Sequence, residues 1–144
     1  LIKNLSNNKY LKYTKFFYFR VEINNIEIMD INNIQNQLQN FASERDWEQF
    51  HTPKNIAMAL SVECSELVEI FQWLNPEESK LPDKMQLELI NNEVADIAMY
   101  LLRFCDLLDL NLENAIQEKL VKNAEKYPIN LSKGNAKKYN RRSD

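Results

Sequence analysis

"VECSELVEIFQWL", residues 62–74, is the stretch whose reading decides the fold. Advancing about 100° per residue, Leu67, Ile70, Phe71 and Leu74 fall on one arc with Ile56 and Leu60 from the preceding turns. That pattern predicts a helix with a core-facing stripe. Glu63 lies within the same arc and Glu66 at its edge, one turn along, while Glu69 points further out. A carboxylate in a core costs several kcal/mol unless something pairs with it. Either this face is not core, or the carboxylates hold something.

The next helical stretch repeats the anomaly. Its apolar arc holds Ile90, Val94, Ile97, Leu101, Phe104 and Leu108, with Glu93 among or beside them and Asp96 at the margin. Two helices thus each carry an acid pair at i, i+3: Glu63-x-x-Glu66 and Glu93-x-x-Asp96. If the helices pack antiparallel, the pairs face each other across the interior. One such pair is common on a solvated helix face. Two, each encroaching on an apolar arc, are harder to account for by solvent or by salt bridges alone.

Around these stretches the remaining elements are also helical. The spacing of Ile31, Ile34, Leu38 and Phe41 predicts a first helix over 31–45. Thr52 as N-cap and Pro53 at the first helical position open a second helix over 53–74. Pro76 and Pro82 break the pattern before a third helix over 83–108. Asn111 caps a fourth over 112–126, which Tyr127-Pro128 stops. A single Gly in 144 residues leaves little material for tight turns, which favours long helices over a β-sandwich. The fold class expected is therefore all-α, with four helices in a domain spanning 30–128. Residues 1–29, rich in Asn, Lys and aromatics, read as a flexible or weakly structured leader, with Met29-Asp30 as a candidate natural start. Residues 129–144 read as a mobile basic tail carrying Lys133, Lys137, Lys138, Arg141 and Arg142.

The formal net charge of −3 argues against a general polyanion binder, so no nucleic-acid polymer is expected as partner. No apolar run approaches the length of a membrane span. Cys64 and Cys105 have neither CxxC nor Cys/His spacing and read as reduced thiols, consistent with a cytoplasmic protein.

Four converging carboxylates would repel one another and raise their own pKa values. A hard divalent cation resolves the conflict, and an all-oxygen set suits Mg²⁺, with Mn²⁺ as substitute. Inward acids on facing helices are an established way to build such a centre. No HExxH, P-loop or GxSxG competes, and a di-iron site is disfavoured because the sole histidine, His51, lies outside both helices. Lys119, Asn123 and Lys126 line up at i, i+4, i+7 on the fourth helix, where Lys119 and Asn123 can meet phosphate or the metal shell. The apolar surface of the second helix exceeds what a monomer's outer layer can expose, so at least a dimer is expected.

The acid pairs, with "FASERDWEQFHTPKN", "ECSELVEIFQW", "NNEVADIAMYLL" and "KYP", resemble the MazG-like all-α nucleoside triphosphate pyrophosphohydrolases, and within them the deoxycytidine triphosphate pyrophosphatase branch. The similarity covers residues 31–139. The resemblance implies a helical bundle assembled as a homo-dimer or tetramer. It also implies Mg²⁺-dependent hydrolysis of a nucleoside triphosphate, dCTP or modified dCTP, to the monophosphate and pyrophosphate, a nucleotide house-cleaning activity. Glu63, Glu66, Glu93 and Asp96 would then be catalytic metal ligands. Trp47, His51, Trp73 and Tyr100 would surround the base, with Gln49 and His51 able to bond its edge. Close relatives tend to carry His at the place of Leu38 and an acid at that of Asn92. The alternatives are a related enzyme acting on dUTP or phosphoribosyl-ATP, and a non-catalytic helical oligomerisation or binding module whose acids make structural ion pairs.

Overall fold

The computed structural model describes residues 29–141. The expected leader lies outside them except for Met29, as do residues 142–144 of the tail. The architecture is all-α, with four long helices: α1 (Ile31–Ser43), α2 (Pro53–Phe71), α3 (Lys84–Leu107) and α4 (Leu112–Lys126). A single helical turn, α5 (Ile129–Ser132), and short 3₁₀ turns at Glu78–Lys80 and Tyr139–Arg141 complete the described residues.

Local chemistry sets the helix ends. The Thr52 hydroxyl accepts from the Asn55 amide at 3.2 Å, with Pro53 in the first turn where its missing N–H costs nothing. α3 opens with a reciprocal capping box: the Gln86 amide donates to Asp83 at 2.8 Å, and the Asp83 amide donates to the Gln86 side chain at 3.0 Å. The Asn111 side chain caps α4 by accepting from Asn114 at 2.9 Å. α2 ends at Phe71, three residues before the sequence pattern stops, because Asn75-Pro76 begins a new capped turn. The Asn75 side chain accepts from the amides of Glu77 and Glu78, both at 3.0 Å.

Packing centres on α3. It lies against α2 along an extended contact and against α1 over a shorter one. The fully buried residues Ala42, Ile56, Leu102 and Cys105 come from all three helices and mark where they meet. The Gln35 amide reaches across from α1 to the Leu102 carbonyl at 3.2 Å. The α2 stripe reads as expected: Ile56 is buried, and Leu60, Leu67, Ile70, Phe71 and Leu74 are half-buried. On α3, Ile90, Ile97, Leu101 and Phe104 are half-buried, but Val94 and Leu108 are exposed. In their place Leu102 and Cys105 are buried, because α3 is flanked by two helices rather than one.

Among the described residues α4 shares no extended contact with another helix. The tail is not uniformly irregular: Tyr139 folds back edge-to-face on Tyr127, 5.9 Å between centroids, with the Lys126 ammonium 5.5 Å from its ring. No helix of the described residues is long and apolar enough to cross a membrane. Both cysteines are free thiols, Cys64 exposed and Cys105 buried.

Candidate metal centre and base slot

The α2–α3 pair brings three of the four expected acids together. One carboxylate oxygen each from Glu63, Glu66 and Glu93 lies within 4.8 Å of the other two. Glu63 and Glu93 are half-buried and Glu66 is exposed, so the group opens to solvent on one side. Asp96, one turn beyond Glu93 and half-buried, is not within that gathering, yet its charge acts on both Glu63 and Glu93. Burial first, then Glu66, Asp96 and Glu93, holds the Glu63 carboxyl above the ordinary range. Burial likewise raises Glu93, followed by the charge of Glu66 and a hydrogen bond to its side chain, and then by Asp96.

These acids are not neutralised by any of the described residues. The ion pairs among the described residues join Arg45 to Glu44, Lys80 to Glu77, Arg103 to Asp106 and Lys122 to Glu118, and none reaches the acid group. The Glu93 Oε2 atom is buried without a hydrogen-bond partner among the described residues. An orphaned acceptor beside two further carboxylates is unfavourable for the protein alone and favourable for a hard cation. The donor set, all carboxylate oxygen, fits Mg²⁺ or Mn²⁺.

The expected aromatic residues divide into two groups. Tyr100, half-buried one turn along α3 from Asp96, has its phenol raised by burial and then by Glu63 and Asp96, which puts it beside the acids. Trp47 and His51 share the α1–α2 connection, with ring centroids 6.3 Å apart and tilted at 54°. Trp47 also meets Phe41 edge-on at 5.8 Å, and the Arg45 guanidinium covers the other ring at 3.6 Å. Phe41 therefore belongs with the aromatic cluster rather than with the α1 core stripe that its spacing indicates.

The Gln49 amide is occupied within its own loop, donating to the Asp46 carbonyl and carboxylate, each at 2.9 Å. That bond braces Asp46, whose φ of 55° puts the chain in the left-handed region just before Trp47. Trp73 stands beyond the end of α2 and is 87% exposed. Lys119 is exposed and Asn123 half-buried on α4, away from any extended contact with the acid-bearing helices.

Arg103, buried in α3, carried no signal in the sequence reading. It lies two residues beyond Leu101, about 200° around the helix, on the side a single apolar stripe assigns to solvent.

Comparison with known proteins follows the same residues. The MazG-like family model matches residues 58–141. The chain is 40% identical to dCTP pyrophosphatase 1 of Mus musculus over 102 residues, 69% of this chain and 59% of the relative. Against dCTP pyrophosphatase 1 of Homo sapiens it is 36% identical over 101 residues, again 69% and 59%. The matched part thus spans about three fifths of the length of these curated relatives. The crystal structure of a pyrophosphatase from Archaeoglobus fulgidus superposes with a TM-score of 0.62 at 34% identity, covering 73% of this chain and 98% of that one.

Proposed function

The chain belongs to the MazG-like family, and from that premise we propose that it hydrolyses a nucleoside triphosphate, dCTP or a modified dCTP, to the monophosphate and pyrophosphate with Mg²⁺. The observation that carries this reading is the meeting of Glu63, Glu66 and Glu93 oxygens within 4.8 Å, with no basic partner among the described residues. The curated relatives' names supply the substrate class.

Glu63, Glu66 and Glu93, with Asp96 beside them, would hold the cation. When bound, it would neutralise triphosphate charge and acidify a water, which is the help phosphoanhydride hydrolysis needs most. The chain's own residues do the rest. The two helices keep the carboxylates in place before the substrate arrives, so little reorganisation is spent at reaction. Trp47 gives the base a π-face, Tyr100 bounds the slot on the side of the acids, and His51 bonds the base edge, while Trp73, beyond the opposite end of α2, reaches a base only from a second copy. Lys119 and Asn123 approach the phosphates once the assembly brings α4 to the site. Attack at the α-phosphorus releases pyrophosphate as the leaving group.

We read the active form as a homo-oligomer. Val62 on α2 is 53% exposed and Leu120 on α4 is 56% exposed, apolar faces that a second copy covers. Incubation with dCTP and Mg²⁺ is expected to yield dCMP and pyrophosphate in equal amounts. Orthophosphate without pyrophosphate would reject the reading, and a panel including dUTP and phosphoribosyl-ATP fixes the preference.

A further inference from the structure

Near the C-terminal end of α3 are two polar atoms that the proposed chemistry leaves unexplained. Arg103 is 7% exposed, set among the core residues Leu102 and Cys105. Its Nη1 donates to the Asp106 carboxylate one turn on, but its Nε is buried with no partner among the described residues. His51, immediately before the Thr52 cap, has its Nδ1 in the same condition.

The register brings the two residues to one level. Glu63 and Glu66 of α2 meet Glu93 of α3, and Leu74, just past the end of α2, lines one cavity with Asp83 and Gln86 at the start of α3, so the helices run antiparallel. The residues leading into α2 therefore lie beside the last turns of α3. The two orphaned atoms are complementary. An arginine Nε always carries hydrogen and can only donate, whereas a neutral imidazole has one nitrogen that can only accept. Leaving each alone forfeits the hydration it lost on burial with no hydrogen bond in return. Pairing them through one water removes both penalties.

We propose that Arg103 is a positioning residue whose Nε–H is received, through one bridging water, by His51 Nδ1, fixing the ring as the neutral Nε2–H tautomer. The consequence is a sense of recognition. With Nδ1 committed inward, Nε2 is an obligate donor, so the base edge it meets must present an acceptor such as a pyrimidine carbonyl oxygen or an unprotonated ring nitrogen. Trp47, 6.3 Å from His51, supplies the adjoining face. Burial of the ring and then the Arg103 cation keep His51 below the usual imidazole pKa, opposed by Glu48, which accords with a ring that stays neutral. The identity of the acceptor rests on the nucleotide reading above; the tautomer does not.

Because His51 is the sole histidine in the chain, nitrogen-15 histidine labelling gives a single imidazole to observe. At neutral pH, Nε2 is expected at a pyrrole-type shift and Nδ1 at a pyridine-type shift displaced by an accepted hydrogen bond. Arg103→Lys keeps the charge and removes the Nε–H; Arg103→Met removes both. In each, Nδ1 moves toward its unbonded position. KM for dCTP rises about tenfold while kcat stays within about twofold, since the contact is lost equally from ground and transition states. A pyrrole-type Nδ1 in the unaltered protein, or an Nδ1 signal unchanged in the variants, would overturn the proposal. If Arg103→Met does not fold, the unaltered protein and Arg103→Lys still decide it. If no triphosphate is cleaved, the function fails while the nitrogen shifts continue to test the Arg103–His51 contact.

Discussion

α2 and α4 are both capped amphipathic helices, and they behave differently. α2 buries Ile56 and half-buries Leu60, Leu67 and Ile70 against α3, whereas Ile116, Leu120 and Val121 of α4 remain exposed. Both sequences state an apolar stripe with equal clarity. What differs is whether the same chain supplies the covering surface. For α2 it does, and the acids on that stripe are thereby forced together. For α4 the described residues do not, and Lys119 and Asn123 wait on whatever covers their helix.

Changes at five positions break or sharpen that contrast. Glu63→Gln removes a charge from the acid group while keeping its shape, and is expected to lower kcat on the order of a thousandfold, corresponding to several kcal/mol. Circular dichroism should be unchanged, and full pyrophosphate release from this variant would take Glu63 out of the site. Ile56→Ala, at the three-helix junction where Ile56 is 2% exposed, is expected to cost about 3 kcal/mol in urea unfolding. The equivalent change on α4, Leu120→Ala, should leave unfolding of the dilute chain within about 0.5 kcal/mol and instead weaken self-association in sedimentation. If both truncations destabilise the dilute chain equally, the contrast between the helices is wrong.

Thr52→Ala deletes the α2 cap and should cost about 1 kcal/mol, recovered in large part by Thr52→Ser. The smallest effect concerns pH. Because His51 is held below its ordinary pKa by burial and by Arg103, the unfolded chain takes up the proton more readily than the folded one. Stability should therefore fall as pH drops from the ordinary imidazole range through the lower folded value. His51→Gln should flatten that portion of a melting-temperature profile; an unchanged slope would show that other groups produce it.

Much of this was legible in the residues. Thr52-Pro53 and Asn111 mark helix starts by local hydrogen bonding, and α4 occupies the expected 112–126. Glu63, Glu66 and Glu93 were legible because a carboxylate on an apolar stripe contradicts its neighbours. Three features were hidden, each for a physical reason. α2 stops at Phe71 because the Asn75 cap competes with the continuing stripe, which leaves Trp73 outside the helix. Asp96 shares the i, i+3 spacing but not the 4.8 Å gathering, since spacing fixes a direction on the cylinder and not how far a side chain reaches. Arg103 was invisible because one period describes one contact face, and α3 has two.

The most direct measurement is anomalous diffraction from crystals grown with Mn²⁺. The account predicts one or more anomalous peaks bonded to carboxylate oxygens of Glu63, Glu66 and Glu93. Crystals in which those side chains turn to bulk solvent, with Mn²⁺ absent from them or bound elsewhere, would contradict it.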